Sequence, residues 1–111
     1  MIDHPIETFS TERDGNDSIL RYKLILGYEW DDLVLCLSEN HNGYQGKIRE
    51  SKSFILEDFE GDLLIEKIKD YVNDFADNEA ERLKILERLE FVLNQRFNID
   101  ICLIKKSEDP C

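Results

Sequence analysis

Glycine-rich phosphate loops are missing from this 111-residue chain, and so are GxSxG and HExxH. Each absence removes a class of chemistry: a backbone cradle for nucleotide phosphates, a serine nucleophile on a strained elbow, and a zinc-peptidase helix. The three cysteines, Cys36, Cys102 and Cys111, include no CxxC pair, which excludes zinc-ribbon and thioredoxin-like arrangements. Cys36 and Cys102 lie in apolar runs and read as buried thiols, while Cys111 ends a polar tail. That usage fits a reducing, cytoplasmic setting. Met1 to Pro5 has neither a basic region nor an apolar stretch, so no signal peptide is expected there. No apolar run approaches the about 18 residues that span a bilayer.

Metal and cofactor signals are equally sparse. His4 and His41 are far apart in sequence, and neither has a ligand-spaced partner. Asp14-x-Asn16-x-Ser18 opens like a calcium loop, but Ile19 stands where that loop needs Gly and Ile25 where it needs Glu. No metal and no cofactor are expected. A trio of Asp32, Glu50 and Lys52 matches the Asp…Glu-x-Lys pattern with which some nucleases hold Mg²⁺. It supplies the alternative of a small Mg-dependent hydrolase.

Positive charge is also scarce: 14 Lys and Arg face 25 Asp and Glu, net −11. Binding nucleic acid or an anionic membrane needs a cationic surplus, so no direct contact with either is expected. Charge complementarity favours a basic protein partner.

What is present is a core. Hydrophobic residues make up 41% of the chain, including six Phe and four Tyr, which is enough for one compact domain over 1–111. The termini, about 1–5 and 105–111, read as loose. Ile6 to Thr11 reads as an edge strand, followed by Asp14-Gly15, a hairpin dipeptide. From Ser18 to Gly27, Leu20, Tyr22, Leu24 and Leu26 share one face and Arg21 and Lys23 lie on the other, the period of a half-buried strand. Gly27 to Asp31 reads as a turn. Asp32 to Ser38 is a nearly continuous apolar run, Leu33 to Leu37, suited to a central strand. Asn42-Gly43 predicts the next hairpin turn, with a return strand over 44–50 that residues 51–56 extend.

The period then changes. Leu64, Ile68, Tyr71 and Phe75 predict an amphipathic helix beginning near 58–62. Asp77-Asn78 interrupts it, and Asn78 with Glu81 resembles a capping box. Leu86, Leu89, Leu93 and Phe97 predict a second helix, which Asn98 is suited to end. Ile99 to Ile104 reads as a final strand. The expected fold is α+β: an antiparallel four- to five-stranded sheet with a two-helix hairpin on one face, order ββββααβ.

The acids are concentrated. Residues 57–81 hold ten of them against Lys67 and Lys69, net −8. Asp62, Glu66, Asp70 and Asp74 recur every four residues, and Asp77 follows. On a helix such neighbours stand one turn apart and repel, at about 0.2–0.5 kcal/mol per pair. A basic partner surface would offset that cost. Tyr28 and Trp30 flank Glu29 ahead of Asp31-Asp32, Tyr44 sits by His41 across the Asn-Gly turn, and all three are of the types that anchor interfaces. The expectation is a non-enzymatic binding module, an inhibitor or immunity/antitoxin-type protein that masks a basic surface of a partner such as a nuclease. A DNA mimic that inhibits a restriction or CRISPR nuclease is the nearest alternative.

Overall fold

The computed structural model describes residues 2–14, 19–43 and 46–104, with the side chains of 13, 14, 41–43 and 46–50 left aside. The chain divides into two compact units, Met1–Asp58 and Phe59–Cys111.

The first unit is a four-stranded antiparallel meander in the order β1-β2-β3-β4. The strands are β1 (His4–Asp14), β2 (Ile19–Glu29), β3 (Asp32–Gly43) and β4 (Gly46–Ile55). The period-two reading fixes the register. Leu24 pairs with Leu37 and Leu26 with Leu35, and Leu35 pairs onward with Phe54. These residues share one face and all are buried. Val34, on the opposite face, is buried as well, as the continuous apolar run of β3 predicts. Fully burying each such side chain contributes about 1.5–3 kcal/mol. A 3₁₀ turn, Leu56–Asp58, closes the unit with Leu56 buried.

Three expectations for this unit are corrected. Gly27 is not a turn residue: β2 continues to Glu29, and the loop is only Trp30-Asp31, between the paired Glu29 and Asp32. Gly27 is small for another reason. A Cβ there would lie 2.6 Å from the His4 carbonyl oxygen and from Ile2 Cγ2, and 2.9 Å from Pro5 Cα. The N-terminal segment therefore lies directly against β2 and is not loose from residue 3 onward. Asp3 N–H donates to the Tyr28 carbonyl at 2.8 Å, and strand β1 begins at His4. Asn42-Gly43 also fails as a turn, because β3 carries both residues in register, Asn42 against Lys47 and Gly43 against Gly46. The Asp14-Gly15 turn falls partly outside the described residues; Asp14 itself pairs with Ile19.

The second unit contains α1 (Gly61–Phe75) and α2 (Glu79–Phe97). Leu64, Ile68, Tyr71, Val72 and Phe75 are the buried stripe of α1; Ile85, Leu86, Leu89, Val92 and Leu93 are that of α2. The expected caps of α2 are present. The Asn78 side chain accepts from Glu81 N–H at 2.9 Å, and Asn98 takes the left-handed conformation at φ 53°. Ile99 N–H then donates to the Leu93 carbonyl at 3.0 Å. The return half of the capping box is not made, since Glu81 Oε1 is buried without a partner.

Residues 99–104 form no strand, contrary to expectation. Side chains of α2 take the place of a neighbouring strand. Asn94 makes a reciprocal pair with Ile101: its Oδ1 accepts from the backbone N–H at 3.2 Å and its Nδ2 donates to the carbonyl at 3.3 Å. One turn earlier, Glu90 Oε1 accepts from Leu103 N–H at 2.7 Å and from Ile104 N–H at 3.3 Å. The alternation of buried Ile101 and Leu103 is thus kept without a sheet. Among the described residues no helix is long and apolar enough to cross a membrane.

Candidate protein-binding surface

The acidic row exists as a physical stripe. Asp62, Glu66, Asp70 and Asp74 all lie on α1 and all are exposed. A rise of 1.5 Å per residue spaces them at about 6 Å along the axis. The apolar stripe of the same helix is buried, so packing holds the helix together while its outer row repels itself. The segment also carries two lysines on the same helix. Lys67 Nζ stands 5.5 Å from the centroid of the Phe59 ring, a cation–π distance, and Lys69 lines a groove. Asp77 is exposed in the link between the helices.

The helix dipole makes the row uneven. Asp62 sits in the first turn, where negative charge is favoured, and Asp74 sits in the last, where it is not; no basic residue occupies that last turn. Glu60 at the N-cap makes no capping bond through its side chain. The helix opens at Gly61 with φ 57°, a conformation that suits glycine.

In the sheet unit, Trp30 is the outstanding aromatic. It is 85% exposed and carries φ 57°, a value expected of Gly at the first position of a two-residue hairpin. Asp3 fixes it there: Asp3 Oδ2 accepts from Trp30 N–H at 3.2 Å, beside the Asp3–Tyr28 backbone bond. Tyr28 is half-buried on β2, two residues before Trp30. Tyr44 lies outside the described residues.

The hydrolase trio is not gathered by the fold. Along β3, Asp32 is seven positions from Glu39, the residue opposite Glu50, and five from Leu37, opposite Lys52. At 3.3 Å per residue the first separation is about 23 Å, far beyond the about 2 Å of a shared Mg²⁺–oxygen shell. Cys36 is a free, half-buried thiol, and burial pushes its pKa up, which keeps it protonated at neutral pH. Cys102 is half-buried, with its Sγ 3.3 Å from the Ile104 carbonyl oxygen.

Sequence reasoning did not single out Glu90, whose carboxylate accepts from two backbone N–H groups. Its signal was the spacing to Asn94, four residues on, just before an apolar segment with no strand to pair with. No protein-family model matches the chain, and neither does a curated protein or a solved structure.

Proposed function

We propose that this chain is a non-enzymatic binding module that masks a basic surface of a protein partner, in the manner of an inhibitor or immunity/antitoxin-type protein acting on a nuclease. The carrying observation is the exposed row Asp62, Glu66, Asp70 and Asp74, maintained on one helix against its own repulsion. A cationic surface laid along it turns that repulsion into attraction and accelerates encounter. Trp30 supports the same reading. A fully usable indole is held on a backbone conformation that costs about 1–3 kcal/mol for a non-glycine residue, and such outliers gather at functional positions. Trp is also among the residues that dominate interface energetics.

The test is capture from lysate on the immobilised chain, with retained proteins identified by mass. Basic nucleic-acid-binding proteins should be retained at low salt and released at high salt, and Glu66→Lys with Asp74→Lys should lose them. Retention that ignores both salt and the double reversal contradicts the proposal. The regular spacing of the carboxylates also suits a DNA mimic. That reading adds one requirement: the captured protein must be displaced by duplex DNA in competition.

A further inference from the structure

A groove of about 960 Å³ opens in the helical unit between the start of α1, the later turns of α2 and residues 99–102. Phe59, Ile65, Ile99 and Ile101 give it apolar walls. Glu60, Asp62, Glu90 and Asp100 line it with carboxylates, and Lys69 is the one cation among its lining residues. Its size falls at the upper end of the about 300–1,000 Å³ common for ligand sites. One wall is fastened in place, because the Asn94–Ile101 pair and the Glu90 bonds to Leu103 and Ile104 hold the 99–104 segment on α2.

The lining discriminates among occupants. An anion would find the amide end of α1, but Glu60 and Asp62 stand at that end and oppose it. A wholly apolar ligand would strip water from the exposed carboxylates of Glu60, Asp62 and Asp100 without replacing their hydrogen bonds. An occupant with apolar bulk and cationic heads satisfies both parts of the surface, and Lys and Arg, with apolar stems below their charge, do so best. We propose that this groove docks a short peptide segment of the partner in which lysine or arginine alternates with large aliphatic residues. The proposal rests on the basic-partner reading and names the feature of the partner that enters. The groove takes the apolar anchor and its flanking cations, while the α1 row meets the wider basic surface.

The experiment is fluorescence anisotropy with a short labelled Lys/Leu peptide, compared with Lys/Ser and Glu/Leu peptides of equal length. Three variants separate the surfaces: Glu60→Lys with Asp100→Lys, which reverses the groove at two exposed positions outside the row; Ile65→Ser, which removes part of its apolar wall; and Glu66→Lys with Asp74→Lys, which reverses the row away from the groove. The Lys/Leu peptide should bind the parent chain. It should lose about tenfold or more in affinity on each groove variant and no more than about twofold on the row variant, where tenfold is about 1.4 kcal/mol. Circular dichroism confirms folding, and the exposed pair keeps the test valid should Ile65→Ser unfold. Equal binding of the Lys/Ser peptide, or loss on the row variant alone, overturns the groove and leaves the row reading standing. Undiminished peptide binding by all three variants also overturns the groove; the row reading falls with it only when lysate capture survives the row reversal.

Discussion

Trp30 occupies the two-residue loop between β2 and β3 with a positive φ, while its ring stays in solvent. Stability alone would place glycine there. Trp30→Gly should therefore unfold at an equal or higher temperature than the parent and bind the captured partner more weakly; a lower unfolding midpoint would show that the turn stores no strain. Gly27 makes the opposite case. Gly27→Ala drives a Cβ into the His4 carbonyl and should cost about 1–3 kcal/mol in urea denaturation, because a backbone atom, not a flexible side chain, must give way. Both residues were visible in the sequence, and both were assigned to one five-residue turn. Nothing local distinguishes a glycine needed for a turn from one needed for close approach. The answer lay in Ile2 to Pro5, more than twenty residues away, which no window around Gly27 contains.

At the scale of elements, periodicity was the dependable guide. The alternation of Leu20 to Leu26 gave β2 and its buried face, and the stripes from Leu64 and Leu86 gave both helices with the Asn78 and Asn98 caps. Strand ends were less legible, since β3 runs through Asn42-Gly43 despite that pair's turn preference; cross-strand pairing outweighed local propensity. The 99–104 segment shows the same limit. Its alternation is real, but Asn94 and Glu90 supply the backbone partners that a strand would have supplied. Asn94→Ala leaves the Ile101 N–H and carbonyl without those partners and should destabilise the helical unit by about 1–3 kcal/mol. Glu90→Gln retains an acceptor oxygen and should cost less than Glu90→Ala. Equal losses for Gln and Ala, measured by chemical denaturation, would remove the Glu90 acceptor from the account.

Over the whole molecule, charge is distributed unevenly: net −8 in residues 57–81 leaves only −3 for the rest of the chain. Composition announced an acidic protein, and of the ten acids in 57–81 spacing located four, Asp62, Glu66, Asp70 and Asp74, on one helix. The groove was illegible because Glu60, Glu90 and Asp100 come from three separate stretches that only the fold unites. Association driven by such a field should slow as salt rises, since the screening length falls from about 10 Å at 0.1 M to about 3 Å at 1 M. The most direct measurement joins stability and binding in one variant, Glu66→Lys with Asp74→Lys. It turns three repulsive one-turn pairs of α1 into attractive ones and places a cation in its last turn. This variant should be more stable than the parent by about 1 kcal/mol and nevertheless lose the basic partner about tenfold or more. A variant that gains stability and captures the partner undiminished would contradict the proposal, for the row would then be a solvated helix face and nothing more.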